Sequence, residues 1–176
     1  MKALILPGLN GSGPLHWQTM WEIKRPDIFR RVQEPNWDHP DRDVWVNNLE
    51  RAVSSSGSGT ILVAHSLACL QVVHWAAQTQ LRIKGALLVA PPNPERPEAP
   101  SETASFKNVP RIRLPFSSIL VVSGNDPYAD LPYFEDCAQT WGSCLMSIGA
   151  AGHINASSSL GDWPQGFALF ESLIKG

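Results

Sequence analysis

The stretch Thr60-Ile61-Leu62-Val63-Ala64-His65-Ser66-Leu67-Ala68-Cys69-Leu70-Gln71 decides the fold. Thr60 to Ala64 are apolar or β-branched without interruption, the pattern of a strand buried on both faces. From Leu67 to Gln78 the pattern is helical, and no loop separates strand from helix. Ser66 therefore stands at a sharp strand-to-helix turn. A serine at such a turn is either the N-cap of the helix or a nucleophile whose hydroxyl the turn exposes, as in the pattern G-x-S-x-G. Ala64 and Ala68 occupy the two glycine positions. Alanine is the next smallest side chain, so strand and helix can still approach closely around the serine. The pentapeptide alone leaves both readings open, and the ends of the other strands must decide between them.

Short apolar runs recur on either side, at Lys2–Leu6, Phe29–Gln33, Ala86–Ala90, Ser118–Ser123 and Cys144–Ile148. Helical patterns alternate with them, at His16–Trp21, Val44–Ser54, Leu131–Trp141 and Pro164–Ile174. Strand and helix in alternation predict βαβ units, hence a mostly parallel sheet of about six strands with helices on both faces, an α/β fold of three layers. Ligands in such sheets bind at the carboxyl ends of the strands, so the residues just after each strand are where chemistry is sought.

Two of those ends complete a pattern with Ser66. Gly124-Asn125-Asp126-Pro127 follows the fifth strand, and Gly152-His153-Ile154-Asn155 follows the sixth. Serine, aspartate and histidine in that chain order, each beyond a different strand, is the order of the α/β-hydrolase triad. The types fit the chemistry. A serine hydroxyl is a weak nucleophile until an imidazole takes its proton, and the imidazole needs a carboxylate to fix its tautomer. Asp126 is preferred to Asp130, which stands where it can cap the helix beginning at Leu131. The glycine-rich end of the first strand, Pro7-Gly8-Leu9-Asn10-Gly11-Ser12-Gly13, brings backbone N–H groups beside the serine. The predicted oxyanion donors are Leu67 and either Leu9 or Asn10.

With Pro14-Leu15-His16-Trp17 added to the first loop, and with Val63–Cys69, Asn125–Tyr128 and Gly152–Asn155, the chain resembles the small α/β hydrolases similar to retinoblastoma-binding protein 9. The resemblance covers essentially the whole chain. It implies an α/β-hydrolase sheet in the order 2-1-3-4-5-6 and a serine hydrolase of esterase type. It carries the nucleophile onto Ser66, the acid onto Asp126 and the base onto His153. Ala68 departs from the family, where glycine is usual. Binding of retinoblastoma protein does not carry over, because an L-x-C-x-E motif needs glutamate where this chain has Gln71.

Composition bounds the remaining possibilities. The chain has 176 residues, 43% of them hydrophobic and 17% charged, with 14 basic against 16 acidic, which predicts one globular domain over residues 1–176 and no nucleic-acid partner. No apolar run is long enough to span a bilayer. Met1–Gly8 carries one basic residue and turns too soon for a secretory signal, which predicts a cytoplasmic address. Cys69, Cys137 and Cys144, odd in number, are expected to be reduced thiols serving as small core residues. Dinucleotide binding fits poorly, since Gly8, Gly11 and Gly13 form G-x-x-G-x-G and Pro14 follows at once. His65, His74 and His153 share no metal-ligand spacing, so neither metal nor cofactor is called for. Prolines throughout residues 91–117 leave no room for a helical lid. A small-molecule ester of short acyl chain is the expected substrate, with Leu9, Trp17 or Tyr128 lining a shallow cleft.

Overall fold

The computed structural model describes residues 3–175. Six strands form one sheet: β1 (Ala3–Leu6), β2 (Phe29–Arg31), β3 (Ile61–His65), β4 (Gly85–Val89), β5 (Ser117–Val122) and β6 (Cys144–Ser147). Their order is β2-β1-β3-β4-β5-β6, and every neighbouring pair is parallel. This is the predicted sheet of the α/β hydrolases. Parallel neighbours need crossovers, and α1 (Trp17–Lys24), α2 (Arg42–Ser56), α3 (Leu67–Ala76) and α4 (Leu131–Trp141) supply four of them. Between β4 and β5 the proline-rich segment crosses with a single 3-10 turn, Ser101–Phe106. A last helix, α5 (Pro164–Lys175), follows β6.

Alternation along the strands divides the core in two, because successive side chains leave a strand on opposite faces. Leu4, Leu6, Leu62, Leu88 and Val122 face one way, onto Leu49 of α2, Val73 of α3 and Phe134 of α4. Ile5, Val63, Leu87, Val89 and Val121 face the other, onto Trp17 and Trp21 of α1 and Phe170 and Leu173 of α5. Both faces are needed to bury strands this apolar.

Several boundaries differ from the sequence reading. Lys2, where the first strand was expected to begin, lies outside the described residues. β4 starts one residue early and stops before Ala90, whose φ of 53° takes it out of extended geometry. His16 is the N-cap of α1 rather than its first residue, its Nδ1 accepting from Gln18 N–H at 3.2 Å. The largest difference is at β6. Its apolar sequence predicts cover on both faces, yet all four residues are exposed, because it is the sheet edge with β5 as its one neighbour. Cys144 lies on it and is therefore exposed, a correction to its expected core role, while Cys69 and Cys137 are buried.

Candidate active site

Ser66 closes the turn between β3 and α3 at φ 57° and ψ −127°, a region that a non-glycine residue enters only when its surroundings enforce it. Ser66 N–H donates to Val89 O at 2.8 Å, and its own carbonyl accepts from Cys69 N–H at 2.9 Å. Its hydroxyl makes no capping bond to α3. Gly8, at the end of β1, comes so close that a Cβ there would lie 2.8 Å from Ser66 Cβ, 2.9 Å from His65 O and 3.1 Å from Leu67 N. Only glycine allows that approach. It brings the first loop against the turn, and Gln18 holds the loop in place by donating to Leu6 O and Val63 O while accepting from Ser12.

His153 Nε2 lies 2.7 Å from Ser66 Oγ, and His153 Nδ1 lies 2.8 and 3.0 Å from the two oxygens of Asp126. In the tautomer with its proton on Nδ1, the imidazole donates to the carboxylate and turns Nε2 toward the serine hydroxyl as an acceptor. The Asp126 side chain is 1% exposed, and Tyr128 N–H donates to it at 2.9 Å. Asp130, the alternative acid, caps α4 by accepting from Tyr133 N–H.

The loop that carries His153 is held by side chains from distant elements. Ser123 Oγ accepts from Ala151 N–H and Asn125 Oδ1 accepts from Gly152 N–H, at 2.8 and 2.7 Å. Ser158 Oγ donates to Ala151 O, His65 Nε2 donates to His153 O at 2.9 Å, and Trp17 Nε1 donates to Ile154 O at 2.9 Å. Five backbone groups within residues 151–154 thus have side-chain partners.

A cleft of about 290 Å3 opens over Ser66, with Leu9, His16, Pro92, Tyr128 and Asn155 among its walls. Leu9 N–H has no partner among the described residues, and Leu67 N–H lies in the first turn of α3, where helices leave amides free. Asn10 N–H donates to Trp37 O at 2.9 Å, which removes it from the two alternatives for the second oxyanion donor, although its side chain still lines the cleft. Burial, with Arg31 nearby, lowers the pKa of His16 to about 4, and burial holds His65 well below the ordinary histidine range. Both stay neutral beside His153. Burial also pushes the Cys69 thiol up, and Cys137 to about 12, so neither offers a thiolate.

Trp17, expected at the cleft, is instead 1% exposed in the core and reaches the site through its indole N–H alone. His65, which fills the x position before the serine in the turn pattern, also reaches the backbone of His153. Ser123 and Asn125 were signalled only by being polar at the end of an apolar strand. His74 bonds to Phe106 O, away from His65 and His153, and no three His, Cys, Asp or Glu side chains among the described residues are grouped to hold a metal. Glu34, which a dinucleotide site would need free for a ribose, is 8% exposed and bound by Asn48 and Gln71. No helix among the described residues is long and apolar enough to cross a membrane.

A sheet of this order, with a serine turn after its third strand, defines an α/β hydrolase. A family model described as serine hydrolase matches residues 3–172, and the chain belongs to that family. It is similar to a protein called a YdeN-like hydrolase from Pectobacterium atrosepticum, with 32% identity over 99% of this chain and 90% of that one, at a TM-score of 0.87. The ydeN gene product of Bacillus subtilis shares the fold at 21% identity, with full coverage of both chains and a TM-score of 0.84. A thermophilic esterase from Thermogutta terrifontis shares it at 14% identity, 99% and 90% coverage and a TM-score of 0.71. No curated protein sequence matches the chain. The protein is a hydrolase of the serine hydrolase family.

Proposed function

We propose that this hydrolase cleaves carboxylic esters of short acyl chain through an acyl-enzyme on Ser66, with His153 as general base and Asp126 as its orienting acid. The observation that carries the reading is the continuous line from Asp126 through His153 to Ser66, closed at 2.7 Å on the serine. As Ser66 Oγ attacks the ester carbonyl, its proton passes to His153 Nε2, and Asp126 stabilises the imidazolium. Leu67 N–H and Leu9 N–H receive the developing oxyanion. They are fixed before the reaction, so no reorganisation is needed as charge builds. Collapse of the tetrahedral intermediate expels the alcohol, which takes the proton from His153. Water then attacks the acyl-enzyme by the same route in reverse. In a 290 Å3 cleft walled by Pro92 and Pro100, long acyl chains extend into solvent. Each methylene left outside gives up about 0.8 kcal/mol of burial energy, so efficiency peaks at roughly two to six acyl carbons.

A fluorophosphonate probe is expected to label Ser66, and Ser66→Ala to lose both the label and about 10^4- to 10^6-fold in kcat on p-nitrophenyl butyrate. Labelling of Ser66→Ala at the wild-type level overturns the assignment. Efficiency that climbs steadily to the dodecanoate overturns the short-chain preference.

A further inference from the structure

The geometry points to His65 as a positioning residue that sets the His153 loop against Ser66 through its hydrogen bond to the His153 carbonyl. The inference rests on the reading of Ser66 and His153 as nucleophile and base, and adds to it a residue outside the triad. His65 ends β3 and immediately precedes Ser66. One dipeptide therefore carries the nucleophile and grips the backbone of the base.

Three observations support a positioning role. The first is strain next to His153. Ile154 has a φ of 49°, and a β-branched side chain in the left-handed region is a true outlier that persists only where the surroundings over-determine it. The carbonyls on either side of Cα of that residue, His153 O and Ile154 O, are the two that accept from His65 and Trp17. Without these donors the segment is free to relax toward ordinary backbone geometry, and the imidazole moves with it.

The second observation is the fixing of the donor itself. The His65 ring is 5% exposed and packs edge-on against His16 at 4.7 Å between centroids and against Trp17 at 6.1 Å, with the ring of His153 5.0 Å away. Rings on three sides hold its orientation. The third is its charge state. Burial keeps His65 neutral, so it presents a single N–H to the carbonyl and adds no second cation beside the imidazolium that His153 becomes during the reaction. A hydrogen bond that merely satisfied a buried carbonyl would not have to come from a clamped ring beside the nucleophile.

His65→Leu deletes the donor, and His65→Gln keeps an amide N–H near the position of Nε2. Misplacing a reacting group by a fraction of an ångström to an ångström costs orders of magnitude in rate. His65→Leu is therefore expected to lose about 10- to 100-fold in kcat on p-nitrophenyl butyrate with KM little changed, and to slow fluorophosphonate labelling by the same factor. His65→Gln recovers most of both. The labelling rate reads the Ser66–His153 pair whatever the natural substrate. The downfield proton resonance of His153 Nδ1–H is expected to persist in wild type and His65→Gln and to broaden in His65→Leu. If His65→Leu does not fold, His65→Phe deletes the donor while keeping a ring in its buried place, and is expected to show the same fall in kcat at constant KM; wild-type kcat in that variant overturns the positioning role. Wild-type kcat and labelling in His65→Leu, or equal losses in His65→Leu and His65→Gln, overturn the positioning role while Ser66→Ala stays inactive. Activity retained in Ser66→Ala instead overturns the nucleophile assignment beneath it.

Discussion

The serine turn and the histidine loop meet at one hydrogen bond, but they are held by opposite means. Around Ser66 the restraint is main-chain packing. β3 lies between β1 and β4, α3 follows without a loop, and Gly8 brings a third backbone segment into contact. Around His153 regular structure contributes little, and side chains bond the backbone group by group from residues 27, 28, 88 and 137 positions away in the chain. The difference teaches where each part is vulnerable. The turn gives way only when backbone is displaced, whereas the loop gives way when a single polar side chain is removed.

Gly8→Ala is the strongest way to test the packed side of this comparison. The new methyl meets His65 O and Leu67 N, which are backbone atoms and cannot turn aside, so the first loop and the Leu9 amide must withdraw. The expected result is a loss of one oxyanion donor, about 10^2- to 10^3-fold in kcat, with a thermal-melt deficit of about 1–3 kcal/mol. Wild-type kcat in this variant would show that the approach of the loop to the turn has no part in the chemistry. Asn125→Ala tests the other side. It removes the acceptor of Gly152 N–H at an exposed position that water can reach, and is expected to cost about 0.5–1.5 kcal/mol and a few-fold in kcat, roughly threefold. Hydrogen exchange should rise at Ala151–Ile154 and stay slow at Leu67–Cys69. Equal loss of protection in both segments would erase the distinction drawn between them.

The smallest effect is a pH dependence on the packed side, at the helix that follows the turn. Glu34 ties Gln71 of α3 to Asn48 of α2, and burial pushes its carboxyl up to about 7 against the opposing pull of both hydrogen bonds. Between the ordinary carboxylate range, near 4.5, and about 7, the folded protein holds a proton that the unfolded chain releases. Stability conferred by that proton is present below this window and is lost as pH rises through it. Glu34→Gln should flatten this decline in denaturant melts run across the window. An unchanged slope would place the pH sensitivity elsewhere.

The same contrast explains what could be read from the chain alone. The turn at Ser66 is legible because its causes are local: five buried strand residues, a serine and a helix in unbroken succession. Asp126 and His153 are legible by position, each just after a strand. The holding of the His153 loop is not, because nothing near Trp17 or His65 in sequence says that their ring N–H groups end on the backbone of residues 154 and 153. Asn10 and Leu9 look alike in sequence as amide donors, and a contact with Trp37, 27 residues on, separates them. The exposure of β6 is not legible, because a strand at the sheet edge and a strand at its centre can share one apolar composition.

The two-sided core also governs when the molecule can finish folding. One face of the sheet, with Ile61, Val63, Leu87, Val89 and Val121, is roofed jointly by α1 and α5. These helices lie at opposite ends of the described chain, and α5 packs across β3, β4 and β5. A ribosome adding about 5–20 residues per second delivers all six strands and the candidate triad before it delivers α5. Until that last helix emerges, the strands present an uncovered apolar surface, and the nascent chain is at its most sticky just before synthesis of this segment ends. That face of the sheet is therefore closed only after α5 has emerged, and nascent chains stalled ahead of Pro164 should be captured by chaperones.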